Sequence, residues 1–432
     1  MTQAIADFKT LSDVDFVEWN QLESPWQERI TGAIAPGGAG LDPIATRPPS
    51  ALVYPHTPEA LSAALKLAHQ QRLAILPCGG GSKLNWGGLV QEAQLAISTQ
   101  RLNRIVEHAV GDLTVTVEAG VKLRDLQDVL KSKQQFLPLD PAYPDEATMG
   151  GIVATADTGS WRQRYGGVRD MVLGLTFVRA DGQMAKAGGR VVKNVAGYDL
   201  MKLFTGSYGT LGVISQITFR VYPLPDASTT VLLTGEAEAI ATAAQTLRNS
   251  SLTPTAADLL SASRVQQLEL GQHMGLRVRF QSIPESVQEQ ATQLKAIAQE
   301  LGLTREEVDE AQLWQPIKSP SAIRCKIGVI PSAAVAVLRE SATLTAGQGF
   351  GLMHNGSGLG TLYLDELEIV KKMRAIAQNY QGFLTVLEAS TALKQQLEPW
   401  GYTGNALTVM RKLKQQFDPK NILSPGRFVG GI

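Results

Sequence analysis

The sequence predicts an α+β protein with two unlike lobes and a returning tail. Two observations carry this expectation. Residues 48–226 mix short strands with glycine-rich turns. Residues 227–398 instead alternate strand and helix patterns in a β-α-β-β-α-β order, which suggests a ferredoxin-like α+β unit with helices on one face. The length agrees, because 432 residues at about 150 per domain allow roughly three units. Glycine numbers 41, above the average share of about 7%, so unusual backbone is expected in the loops.

Residues 1–47 read as an N-terminal extension, with helical character over 13–34 and a Pro/Gly stretch over 35–49. Residues 52–54 are a short strand. Thr57-Pro58-Glu59 then supplies an N-cap, a proline at the first helical position and an acidic first turn. Leu61, Ala64, Leu65 and Ala68 continue this start as an amphipathic helix. A strand over 74–77 runs straight into Cys78-Gly79-Gly80-Gly81-Ser82-Lys83. Residues 113–118 alternate as a half-buried strand does, and Leu123, Leu126, Val129 and Leu130 follow at helical spacing. The stretch 137–167 is rich in Pro, Gly, Thr and Asp and has little periodicity; a loop that long is tolerated mainly where it has a function. Strand 172–179 is followed by an Asp181-Gly182 turn, and strand 212–222 is closed by Pro223 and Pro225.

Beyond Pro225, strands are expected near 229–233, 276–280, 323–330, 350–354, 360–364 and 383–387. Helices are expected near 237–249, 284–301, 332–344 and 366–380. The C-terminal segment 399–432 holds a basic amphipathic helix over 407–417 and returns to the front lobe.

Composition narrows the function. Lys plus Arg and Asp plus Glu number 40 each, so the net charge is zero and no nucleic-acid partner is expected. Two cysteines, Cys78 and Cys325, exclude a disulfide framework and a four-thiolate metal or iron–sulfur site. Five scattered histidines without an HxH or HxxxH pair argue against a zinc site. No basic-then-apolar leader and no long apolar run is present, so a cytoplasmic protein is expected, with any membrane association running through a partner.

Three loop segments carry the chemistry. Gly79, Gly80 and Gly81 follow a strand and let backbone N–H groups approach an anion, with the Ser82 hydroxyl and the Lys83 charge beside them. A plain glycine-rich turn would look the same in isolation. The GxxxxGK[ST] and GxGxxG spacings both fail here, since Leu84 stands where the latter needs glycine. The second segment runs from Pro138-Leu139-Asp140-Pro141 through Thr148-Met149-Gly150-Gly151 to Thr155, Asp157 and Gly159, with small residues beside hydrogen-bonding ones. The third comprises Lys193 to Leu200 and Gly206-Ser207-Tyr208-Gly209-Thr210-Leu211-Gly212-Val213-Ile214. Each could also be ordinary turn or packing structure.

In this order and spacing, the three segments resemble the FAD-binding domain of the vanillyl-alcohol oxidase / p-cresol methylhydroxylase superfamily. The tail Phe417-Asp418-Pro419-Lys420-Asn421-Ile422-Leu423-Ser424-Pro425-Gly426-Arg427-Phe428 is similar to that of its hydroxy-acid members. Within the superfamily, the resemblance to the FAD-binding E-type subunits of bacterial glycolate oxidases extends over nearly the whole chain. It implies a two-part FAD-binding domain plus a cap. Pro77 and Gly79 to Leu84 would hold the FAD pyrophosphate; Thr148, Met149, Gly150, Gly151, Asp157 and Gly159 would lie along the flavin and ribityl chain. Val213 and Ile214 would meet the cofactor through backbone groups. Covalent members commonly carry a histidine in the glycine loop, where Ser82 and Lys83 stand here, which implies non-covalent FAD.

The resemblance also exposes a departure. Related hydroxy-acid dehydrogenases carry a metal-associated H-x-G-D-G-N-L-H pattern and a later Glu-His. Here His354 and the glycines remain, but Ser357, Thr361 and Ala389 replace the acid and the later histidines, while Glu388 is kept. No metal is therefore expected. His354 is the candidate base or substrate ligand, and Arg324 the candidate partner of a substrate carboxylate. The implied partners are a sister flavin subunit, an iron–sulfur subunit and a small 2-hydroxy acid. A self-sufficient dehydrogenase, a non-catalytic flavin subunit and a nicotinamide-fed flavin reductase are the alternatives.

Overall fold

A computed structural model describes residues 3–36, 48–190, 197–306, 310–315, 317 and 321–432. The first sheet has four strands in the order Val14–Glu18, Ala51–Pro55, Leu95–Ser98, Ile75–Cys78. The last three are parallel, and the first pairs antiparallel with Ala51–Pro55. Helix Pro58–Gln71 covers this sheet with Leu61, Ala64, Leu65 and Ala68. Its N-cap Thr57 accepts a hydrogen bond from the Ala60 N–H, as the capping signal predicts.

Residues 13–34 depart from the helical expectation. Val-Asp-Phe-Val-Glu alternates and gains a cross-strand ladder against Ala51–Pro55, so the helical part of this stretch is confined to a 3-10 turn, Trp19–Gln21, and the α-helix Ser24–Thr31. The Pro/Gly stretch beyond it falls largely on 37–47, outside the described residues.

A second sheet is wholly antiparallel, in the order Ile105–Ala109, Thr114–Glu118, Val213–Arg220, Val172–Val178, Met184–Gly188. Helices Leu123–Lys131 and Met149–Thr155 pack on it through Leu126, Leu130, Ile152 and Val153. The tail closes the front lobe. Ile75 N–H donates to the Ile422 carbonyl at 2.7 Å, and Ser424 N–H to the Ile75 carbonyl at 2.9 Å. Phe417, at the end of helix Leu407–Phe417, meets Phe177 and Phe204.

The back half forms one antiparallel sheet with eight strands among the described residues. It is two ferredoxin-like units rather than one. In the first, Ala227–Gly235, Ala256–Leu260, Met274–Ser282 and Thr304–Glu306 lie in the spatial order 4-1-3-2. In the second, Ile323–Gly328, Phe350–His354, Leu359–Leu364 and Phe383–Glu388 repeat that order. The units join edge to edge where Ala256–Leu260 pairs with Phe350–His354. Helices Ala237–Asn249, Pro284–Glu300, Ala334–Leu344 and Leu367–Asn379 cover one face with a continuous apolar core. The other face is turned toward the front lobe.

Candidate active site

Two adjoining cavities mark the site, one within the front lobe and one between the lobes. The first is bordered by Pro77, Gly79 to Leu84, Thr148, Gly150, Gly151, Val213, Ile214 and Arg427. The backbone N–H groups of Gly79, Gly80, Gly81, Ser82 and Lys83 have no acceptor among the described residues. Five consecutive free donors around a glycine turn are a nest for an anion. A side chain at Gly79 would displace Thr148, because a Cβ there would stand 2.1 Å from Thr148 Oγ1. Arg427 is buried, donates to the Leu84 carbonyl at 2.7 Å and leaves its Nε without a partner. Free N–H groups, a bare glycine turn and an unpaired guanidinium N–H fit the diphosphate of FAD.

Lys83 belongs to this loop, but its ammonium is turned away and sits 3.0 Å from Asp157 Oδ2. Burial pulls its pKa below the ordinary value, opposed by Asp157. Its charge is therefore balanced inside the protein. The Met149 side chain is buried in the front-lobe core, outside both cavities. Lys193 to Ala196 of the third segment lie outside the described residues.

The second cavity encloses about 450 Å³. Its front-lobe wall runs from Thr155 to Ser160 and includes Asp157 and Gly159. Its back wall is the open face of the cap sheet, with Arg324 and His354. Tyr208 and Thr155 border both cavities.

Strand register explains the back wall. Arg277, Asp258 and His354 are direct cross-strand partners on three neighbouring strands, so their side chains share one face. His354 Nδ1 lies 2.6 Å from Asp258 Oδ1. The other oxygen of Asp258 receives Arg277 Nε at 3.0 Å, Arg277 Nη2 at 2.8 Å and the Ser160 hydroxyl at 2.6 Å. Burial alone would raise Asp258, but Arg277 and His354 outweigh it and hold the carboxyl well below the usual carboxylate range. An ionised carboxylate only accepts, so Nδ1 carries a proton and Nε2 is the ring nitrogen outside this pair. Arg277 is held in turn by the Leu313 carbonyl and by the Trp314 ring, 4.0 Å from its guanidinium.

A second row consists of Tyr363, Arg324 and Glu388. Arg324 Nη1 is 3.6 Å from Glu388 Oε2, its Nε has no partner, and its guanidinium faces the rings of Trp86, Tyr143 and Tyr363. The Tyr143 hydroxyl donates to Glu388 at 2.5 Å. Thr361 borders the cavity, and Ser357 is exposed. Among the described residues, no group of three or more His, Cys, Asp or Glu could hold a metal ion.

Sequence reasoning missed Asp258, Arg277 and Ser160. The strand that bears Asp258 was not anticipated, yet a lone acid inside Ala-Ala-Asp-Leu-Leu was a usable signal: a charge in an apolar run needs a buried partner.

Comparison with known proteins agrees with this architecture. The FAD binding domain model matches residues 49–188, and the C-terminal domain of FAD linked oxidases matches 367–428. The chain is 26% identical to glycolate oxidase subunit GlcD of Bacillus subtilis (strain 168), over 88% of each chain. It is 28% identical to a D-lactate dehydrogenase of Archaeoglobus fulgidus, over 88% of this chain and 91% of that one. Glycolate oxidase subunit GlcE of Escherichia coli (strain K12) is 38% identical over 39% of this chain and 48% of its own length. Substrate-bound p-cresol methylhydroxylase superposes with a TM-score of 0.75 at 17% identity, covering 98% of this chain and 96% of that one. No helix among the described residues is long and apolar enough to cross a membrane. The chain therefore has the α+β fold of the p-cresol methylhydroxylase type, with residues 49–188 matching an FAD binding domain and 367–428 the C-terminal domain of FAD linked oxidases.

Proposed function

We propose that this chain is the FAD-binding, E-type subunit of a glycolate oxidase complex. It oxidises glycolate, or a similar small 2-hydroxy acid such as D-lactate, to the 2-oxo acid. The observation that carries the proposal is the buried Asp258–His354 pair, aimed into a cavity that also holds Arg324. Bound FAD supplies the acceptor for the substrate hydride. Asp258 keeps the His354 ring oriented and its Nδ1 protonated, so Nε2 can take the 2-hydroxyl proton. Arg324 pairs with the 1-carboxylate. FAD is held non-covalently, since no histidine stands in the Gly79–Leu84 loop. Cys78 and Cys325 are the only thiols, so iron–sulfur chemistry belongs to a partner, and a sister flavin subunit completes the complex. Relatives that are glycolate oxidase subunits, GlcD over 88% of each chain and GlcE over 48% of its own length, support membership of such a complex.

A second reading, a dehydrogenase that turns over alone, is favoured by the intact Asp258–His354 pair. One experiment tests both. The purified FAD-loaded chain is mixed anaerobically with glycolate or D-lactate, and flavin absorbance is followed. Bleaching without partners establishes turnover at this site. His354→Asn should then slow bleaching about 10²- to 10⁴-fold, the usual worth of a general base. Bleaching at the unchanged rate would remove His354 from the mechanism. A spectrum that stays oxidised with every 2-hydroxy acid would confine this chain to a carrier role.

A further inference from the structure

We propose that Arg29, carried by the N-terminal extension, is a positioning residue of the anion nest. It holds the Gly80 carbonyl on the outer side of the loop, so that the Gly81 N–H is presented to the FAD diphosphate. This deepens the assignment of the smaller cavity to FAD and rests on it. In a trans peptide the C=O and the following N–H point in opposite directions, so a carbonyl tied back on one side aims an N–H at the other. Three consecutive peptide planes of the nest are tied in this way. Thr99 Oγ1 donates to the Cys78 carbonyl at 3.3 Å, Ser98 Oγ to the Gly79 carbonyl at 2.9 Å, and Arg29 Nη1 to the Gly80 carbonyl at 2.9 Å. The N–H groups of those planes belong to Gly79, Gly80 and Gly81, three of the donors without an acceptor among the described residues. The glycines give the loop its turn; the ties behind it decide which side each plane presents.

The ties have different origins. Ser98 ends strand Leu95–Ser98, the parallel neighbour of the strand that leads into the loop, and Thr99 follows it, so both belong to the front-lobe sheet. Arg29 sits on helix Ser24–Thr31, 51 positions before Gly80 and outside the 49–188 match to an FAD binding domain. It does not border the cofactor cavity, so it reaches the loop from behind. The helix seats directly on the glycine turn. A Cβ at Gly81 would stand 3.0 Å from the Trp26 ring and 3.3 Å from Arg29 Cδ, and the φ of +80° there is one that glycine adopts without strain. The Gly80–Gly81 plane joins two residues without side chains, so its own residues do little to stop it turning. Turned over, it would set a carbonyl against the diphosphate oxygens and remove a donor. The guanidinium opposes this with a charge-assisted bond, stronger than the neutral hydroxyl ties beside it. Arg29 Nη2 meets Glu146 Oε2 at 2.8 Å, which orients the guanidinium toward the loop.

The test is a titration of the FAD-free full chain with FAD, followed by quenching of flavin fluorescence, with the unfolding midpoint of the FAD-free chain measured beside it. Arg29→Met should weaken FAD about tenfold or more, the worth of a hydrogen bond to a charged group. The midpoint should stay close to that of the unsubstituted chain, because a half-exposed ion pair such as Arg29–Glu146 contributes little to stability. Arg29→Lys should recover most of the affinity, since an ammonium can still donate to the Gly80 carbonyl. Glu146→Gln should cost less than about threefold, because it leaves the carbonyl tie in place. Arg29→Gln, polar but too short to reach Gly80, replaces Arg29→Met should that variant fail to fold, and the same loss is expected. Unchanged FAD affinity without the Arg29 guanidinium would overturn the proposal. An equal loss in Glu146→Gln would assign the effect to the ion pair, and a loss that Arg29→Lys does not recover would assign it to packing on Trp26; either result sinks the carbonyl tie. A loss that follows a fallen midpoint would make Arg29 a folding residue instead. If the unsubstituted chain binds no FAD, the cofactor assignment itself falls, and the proposal with it.

Discussion

The wall bearing Gly79 to Leu84 and the wall bearing Asp258, His354 and Arg324 both offer polar groups to a buried ligand, by different means. The front wall uses main chain. Its donors are consecutive N–H groups made accessible by missing side chains, and of the charged side chains beside them Lys83 is paired with Asp157 while Arg427 keeps an unpartnered Nε. The back wall uses side chains on adjacent strands, each held by a cross-strand partner in register. A main-chain nest depends on local conformation, so a few contiguous residues specify it. A side-chain array depends on strand pairing across a hundred residues and on complete compensation of buried charge. The back wall should therefore be the more fragile one.

Asp258→Asn gives the largest expected effect. It leaves Arg277 facing a neutral amide in a site where Asp258 is fully buried. Breaking a buried pair costs about 3–5 kcal/mol, readable as a lower denaturation midpoint of the FAD-free protein. Turnover should fall too, because an amide can donate to Nδ1 and move the ring proton to Nε2, where the base is needed. A variant of unchanged stability would show that the row is not what holds the seam between the two ferredoxin-like units.

The same contrast explains how much of the molecule is legible in the sequence. The glycine loop, the Thr148–Gly159 segment and the tail are each contiguous, so their residue types can be read directly. His354 and Arg324 are visible only as isolated polar residues at strand positions. Asp258 is not, because its partners lie 19 and 96 positions away and its strand, flanked on both sides, shows no alternation. The second ferredoxin-like unit is hidden in a similar way: the strand run can be read, but its division at Ala256–Leu260 cannot.

Among the side chains on which the front wall relies, Asp140 supplies the next effect. Its carboxylate accepts from the Gly159, Ser160 and Trp161 N–H groups and so shapes the turn beside the cavity. Burial pushes its pKa from 3.8 up to about 6. Between those values the folded state binds more protons than the unfolded one. This contribution to stability is thus present in acid and lost as pH rises through about 6, a change of about 3 kcal/mol. Asp140→Asn should flatten the pH profile of unfolding between about pH 4 and 7. An unaltered slope would assign the titration to another group.

Gly79→Ala should act mainly on the front wall. The added Cβ collides with Thr148 Oγ1, the N-cap of helix Met149–Thr155, and overpacking of this kind costs about 1–3 kcal/mol. Because the collision lies within the protein, apo stability and FAD retention should fall together. Loss of FAD alone, at unchanged apo stability, would mean that the loop yields without disturbing the helix start.

Gly151→Ala is the smallest and most discriminating change, because its two effects have opposite signs. Gly151 lies inside helix Met149–Thr155, where alanine is favoured over glycine by about 0.5–1 kcal/mol. Its Cβ would meet only Thr148 Oγ1, at 3.2 Å, and otherwise project into the glycine-lined cavity. The FAD-free variant should therefore unfold at a slightly higher temperature, while FAD binds more weakly. Only a wall whose glycine is kept for the ligand, against the preference of its own helix, gives that pair of results. If both quantities rise, the cofactor does not approach Gly151, and the flavin must follow the second segment by another path.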